Sequence, residues 1–167
     1  MMLRVRKTAT SAAGMTLLEL ILATGILMVL AGAAVPILRV QIRREKEIEL
    51  RRALRQMRDA IDRYYDAADR GLIKVEVGTY KYPPDLDTLV KGVQMGSGGN
   101  NSGGTVTGET VRFLSKIPVD PMTGRAEWGK RAVQDDPDSS SWNGKNVFEV
   151  YSLSQGIALD GTKYADW

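Results

Sequence analysis

The chain has 167 residues, with 23 Lys and Arg against 20 Asp and Glu, a formal net charge of +3, and neither Cys nor His. Without Cys there is no disulfide framework and no thiolate metal site; without His the commonest metal ligand, the usual general base and every Ser-His-acid arrangement are excluded. Arg4, Arg6 and Lys7 precede Gly14 and no acid does, so loss of that segment leaves 20 basic residues against 20 acidic ones. The excess belongs to a leader rather than to a phosphate-binding surface, and no nucleic-acid partner is expected.

Residues 1–14 begin basic, but residues 8–14 are small and polar, with no apolar stretch before them. A secretory signal peptide places its apolar region ahead of the cut; here the order is reversed, so a cut at the small residues leaves the apolar run attached. The alternative is an uncleaved signal anchor. No charged residue occurs from 20 to 38, and about 20 apolar residues is the length that crosses a hydrocarbon core of roughly 30 Å. Residues 15–40 are accordingly predicted to be a transmembrane half-helix. The basic leader favours a cytoplasmic N-terminus, although Arg39, Arg43 and Arg44 beyond the run oppose it. Glu19 lies at the mouth of this run and needs a partner there; otherwise it snorkels to the headgroups. Pro36, after Gly25 and Gly32, predicts a kink, because an internal proline removes a backbone hydrogen bond and clashes with the preceding turn.

The string Gly14-Met15-Thr16-Leu17-Leu18-Glu19-Leu20 resembles the processing site of type IV pilins and type II secretion pseudopilins, departing from it at Met15, where Phe is commonest. The resemblance implies cleavage after Gly14 by prepilin peptidase and methylation of the new N-terminal amine on Met15. It further implies that Glu19 acts in assembly, its carboxylate pairing with the N-terminal amine of a neighbouring subunit.

From residue 41 to 69 there is neither Pro nor Gly, and Leu50, Ala53, Leu54, Met57, Ala60, Ile61, Tyr64 and Ala68 recur at three- and four-residue spacing. This predicts an amphipathic helix over 41–70 that continues the apolar run, stopped by Gly71. Its other face carries Glu47-Arg51, Arg55-Asp59, Arg58-Asp62, Asp59-Arg63 and Asp66-Arg70 at i,i+4, either as a solvated face or as pairs between stacked subunits.

Residues 71–167 are expected to form a globular α/β and β-sheet region. Residues 72–77 are a short strand or irregular, and Asp85 or Asp87 caps a brief helix through Leu89 and Val90. Tyr82-Pro83-Pro84 with Leu86 and Leu89, and later Phe113-Leu114-Ser115-Lys116-Ile117-Pro118-Val119-Asp120-Pro121, resemble segments of the major pseudopilin family. Residues 96–108 read as a flexible Gly-rich loop; they lack the Gly-Lys-Ser/Thr ending of a phosphate loop. Strands are expected near 126–133 and 147–153, with Val147, Val150 and Tyr151 facing the core. Trp128 is assigned to the core or its edge, and Trp142 to an exposed polar loop. The last fourteen residues resemble the calcium-holding C-terminal loop of major pseudopilins, which implies Ca2+ at Asp160 and Asp166. The loop is short and Lys163 opposes a cation, so a plain Asp-Gly turn stands beside that reading.

Together these features predict an α+β fold of type IV pilin-like form: a long N-terminal helix, its first half transmembrane, packed on a small antiparallel β-sheet. The implied function is that of a structural, non-enzymatic subunit of a type II secretion pseudopilus. Its implied partners are other copies of itself, prepilin peptidase, minor pseudopilins, the inner-membrane assembly platform and the inner membrane. The implied placement is single-pass in the bacterial inner membrane, with the remainder in the periplasm. The alternatives are a type IV pilin or minor pilin of a surface fibre, and a membrane-tethered enzyme or binding module, for which no convergent set of polar residues is legible.

Overall fold

The structure, a computed structural model, describes residue 14 and residues 16–96 and 106–167, without the side chains of 33–38 and 106–108. Helix α1 runs Leu17–Asp69, α2 Leu86–Lys91, and strands β1 to β4 cover Val93–Gly96, Val106–Val111, Gly129–Arg131 and Glu149–Tyr151, followed by a 3-10 turn over Tyr164–Asp166. The chain divides into two units, Met1–Gln41 and Ile42–Trp167.

In the first unit α1 carries exposed apolar side chains over residues 17–30. Among the described residues no helix is long and apolar enough to cross a membrane. This overturns the transmembrane half of the expected fold and the single-pass inner-membrane placement that rested on it. The helix continues through Pro36, whose side chain, the source of the expected kink, lies outside the described residues.

In the second unit the three- and four-residue spacing does what periodicity requires. Leu50, Ala53, Leu54, Met57, Ala60, Ile61, Tyr64 and Ala68 are all buried along one face of α1. They pack with Leu86 and Leu89 of α2, with Val150 of β4, and with Phe113, Leu114, Trp128, Val147, Ala158 and Tyr164 from the connecting segments. Tyr64 meets Phe113 edge-on, ring centroids 5.4 Å apart. Gly71 ends the helix at φ +69°: its N–H donates to Ala68 O at 3.1 Å and Leu72 N–H to Ala67 O at 2.9 Å, the paired bonds of a Schellman stop. Asp85 caps α2, accepting from Thr88 N–H.

The expected single sheet is replaced by two separate two-stranded antiparallel sheets, β1 with β2 and β3 with β4. Val93 opposes Val111 and Gly96 opposes Val106, with an irregularity between Gln94 and Gly96. Gly96 and 106–108, assigned from sequence to the Gly-rich loop, are therefore strand; residues 97–105 lie outside the described residues. In the other sheet Gly129 opposes Tyr151 and Arg131 opposes Glu149. Tyr151 lies over Gly129 so closely that a Cβ there would sit 2.2 Å from the ring.

A buried carboxylate organises the segment between the sheets. Asp120 is fully buried; its Oδ1 accepts from Met122 N–H at 2.7 Å and its Oδ2 from Ser152 Oγ–H at 2.6 Å. Asp120 N–H donates to Arg125 O, and Gly124 N–H to Asp120 O, each at 2.8 Å. Buried Trp128 donates from Nε1 to Pro118 O at 2.9 Å. Trp142 is only half-buried rather than fully exposed, because Nε1 donates to Asn146 O at 2.6 Å and Lys130 Nζ stands 3.7 Å over its ring.

Candidate functional site

The N-terminal site begins at Gly14, which is exposed; Met15 lies outside the described residues. Thr16 precedes the first residue of α1, and its Oγ1 accepts from Glu19 N–H at 3.3 Å. Thr16 is thus the N-cap and Glu19 the third helical residue, the spacing of a capping box. This signal was present in Thr16-Leu17-Leu18-Glu19 and gives Glu19 a local task that the apolar context conceals: a carboxylate in the first turn faces the positive end of the helix dipole. Glu19 is exposed.

Beyond it the helix is apolar on every side. Leu17, Leu18, Leu20, Ile21, Leu22, Ile26, Leu27, Met28, Val29 and Leu30 are each more than half exposed. Gly25 opens a shallow groove bounded by Ile21, Leu22, Ile26, Val29 and Leu30, and a Cβ added at Gly25 or Gly32 would meet nothing within 4 Å. Thr24, the polar exception, returns its hydroxyl to Leu20 O at 2.9 Å.

The C-terminal loop is built differently from the expected calcium loop. Asp160 Oδ1 accepts from Thr162 N–H at 2.9 Å and Thr162 Oγ1 at 2.6 Å, closing a turn on Gly161. Ala158 N–H donates to Thr162 O at 2.7 Å. The other oxygen, Oδ2, takes Arg51 Nη2 at 3.2 Å. The Thr162 hydrogen bonds, with Arg51 assisting, hold the Asp160 carboxyl below the usual carboxylate range. A divalent cation takes 6 to 8 oxygen ligands, but Asp160 is already committed to a guanidinium. Among the described residues no group of three or more acidic side chains that could hold a metal ion occurs. Asp160 and Asp166 therefore do not fit calcium, and the Asp-Gly turn accounts for Asp160.

The charges on α1 make the attachment. None of the five expected i,i+4 pairs is an ion pair among the described residues; along the helix Arg43 and Glu47 approach to 3.9 Å. The others reach across the fold. Arg58 Nε donates to Glu149 Oε1 at 2.7 Å, and its Nη2 to Val150 O and Trp167 O at 3.3 and 2.5 Å. Arg63 Nη2 donates to Phe113 O at 2.8 Å. Arg43 donates from Nε to Tyr164 Oη at 3.2 Å and from Nη2 to Ile157 O. Glu47 Oε1 accepts from Tyr164 Oη–H and Leu159 N–H, each at 2.9 Å. Burial raises the Tyr164 phenol above its usual range, so it remains a donor to Glu47. Reasoning from local spacing assigned Glu47, Arg51 and Arg58 to neighbours along the helix and Arg43 to none, and missed their partners across the fold.

Comparison with known protein families, curated proteins and solved structures gave no match.

Proposed function

We propose that this chain is a structural subunit of a type II secretion pseudopilus, cut after Gly14 by prepilin peptidase, methylated at Met15 and polymerised into a filament that drives protein secretion. The observation that carries the reading is the first part of α1, apolar around its whole circumference and exposed from Leu17 to Leu30. A helix apolar on all sides is a helix that is covered in its working state. Covering one Leu or Ile side chain is worth roughly 1.5–3 kcal/mol. Five of them contribute ~10 kcal/mol, comparable with the freedom lost on association. Copies of the same segment, with the small residues Gly25 and Gly32 admitting close approach, supply that cover, and the Gly14-Met15 sequence supplies the processing point.

Mass spectrometry of the chain purified from cells that contain a prepilin peptidase tests the reading. The expected N-terminus is methylated Met15. A mature protein that still starts at Met1 in such cells contradicts processing, and with it the assignment.

A further inference from the structure

Four side chains join the C-terminal loop to α1 in a closed circuit. Arg51 pairs with Asp160 Oδ2 at 3.2 Å, and its guanidinium carbon lies 4.1 Å over the Trp167 ring. Trp167 Nε1 donates to Thr162 Oγ1 at 2.6 Å, and Thr162 returns to Asp160 Oδ1 at 2.6 Å. The carboxylate and the indole face thus converge on one cation, with the Thr162 hydroxyl tying the two together, and that cation is a side chain of the helix 109 residues earlier in the chain than Asp160.

We propose that Arg51 is the built-in cation of residues 157–167, so that the loop is fastened to α1 by a planar guanidinium and needs no calcium. The geometry suits Arg in a way it does not suit a metal ion. A guanidinium donates in its plane to a carboxylate while presenting its flat face to an aromatic ring. A calcium ion at Asp160 has to displace Arg51, and Lys163 lies between the two acids of the loop. The inference stands apart from filament assembly, since it concerns the attachment of a loop within one subunit.

Hydrogen exchange of the full chain, followed by mass spectrometry, reads the attachment directly. Exchange across residues 157–167 is expected to be the same with calcium and with EGTA. In Arg51→Ala it should rise at least about threefold, the scale of an exposed ion pair with a cation–π contact, while exchange across residues 50–68 stays as in the wild type and reports that the fold is intact. Arg51→Lys keeps the charge but loses the flat face, and is expected to fall between the two. The proposal is overturned by slower exchange of the wild-type loop in calcium, by unchanged exchange in Arg51→Ala, or by full protection in Arg51→Lys.

Discussion

Asp120 shows how one side chain decides a local fold that hydrophobic pattern leaves open. It lies in Pro118-Val119-Asp120-Pro121, where two prolines cannot donate to a sheet ladder, so the turn has to be held by something else. The carboxylate does so with a backbone donor on one oxygen and the buried hydroxyl of Ser152 on the other. Truncation to Ala leaves both donors without an acceptor in a site closed to water. Buried groups left unpaired cost about 1–3 kcal/mol each. Asp120→Ala is therefore expected to lose roughly 2–4 kcal/mol of unfolding free energy in urea, with Asp120→Asn losing less because one acceptor survives. A loss below about 1 kcal/mol for the Ala variant contradicts the keystone role. The residue is visible in the sequence as part of a familiar-looking segment, but its partner is not: Ser152 is 32 positions away, and nothing in either neighbourhood announces the other.

At the scale of elements, the helix over 41–70, the Asp85-capped helix and the positions of β3 and β4 were legible, whereas β1, β2 and the division into two sheets were not, for one physical reason. Helix signals are local. The spacing of Leu50 to Ala68, the Gly71 stop and the Asp85 cap each act within a few residues, so the sequence contains the whole cause. Strand pairing and charge pairing depend on where a distant segment returns. Strands β3 and β4 fall inside the expected 126–133 and 147–153 but have only three residues each, too few to announce their pairing, and β1 and β2 flank a Gly-rich stretch that reads as loop. The arginines of α1 offered partners at i,i+4 worth only about 0.2–0.5 kcal/mol apiece, a preference that tertiary contacts override. For the C-terminal loop this has a consequence in acid. Asp160 has a folded-state pKa lowered below its ordinary 3.8, so its contribution is present above the ordinary value and is lost as pH falls through the lowered one. Arg51 of α1 faces it across the ion pair, and Glu47 of α1 lines the same surface groove. The protection of the Thr162 amide relative to its intrinsic exchange rate, followed by NMR, should be flat from pH 7 to about pH 4 and fall below it, and Asp160→Asn should abolish that pH dependence. Loosening centred near pH 6 excludes Asp160 as its cause.

For the whole molecule, the consequence lies in two unlike stretches of α1. Residues 50–68 bury their apolar face inside the subunit, whereas residues 17–30 expose apolar surface on all sides. The first is satisfied within one chain; in the proposed filament the second is satisfied between chains. In the proposed filament Glu19 is the residue that would separate association by oiliness alone from association in a defined register. As the third residue of α1 its backbone N–H donates to Thr16 Oγ1, and its carboxylate in the first turn is worth about 0.3–1 kcal/mol against the dipole. In the proposed filament its second role would be to meet the amine of Met15 from a neighbour, and removing one partner of a buried pair costs roughly 3–5 kcal/mol. Two substitutions separate the roles. Glu19→Ala removes both. Glu19→Gln retains the capping-box chemistry, since Gln serves at that position as Glu does, but carries no charge. If pairing is the decisive role, both variants are processed after Gly14 and both fail to sediment as filaments. If capping is decisive, Glu19→Gln assembles normally and only Glu19→Ala fails. Sedimentation and electron microscopy of the processed chains, with the mature mass measured in parallel, distinguish the two. Normal filaments from Glu19→Gln exclude a charge pair and leave apolar cover as the sole driving force for assembly.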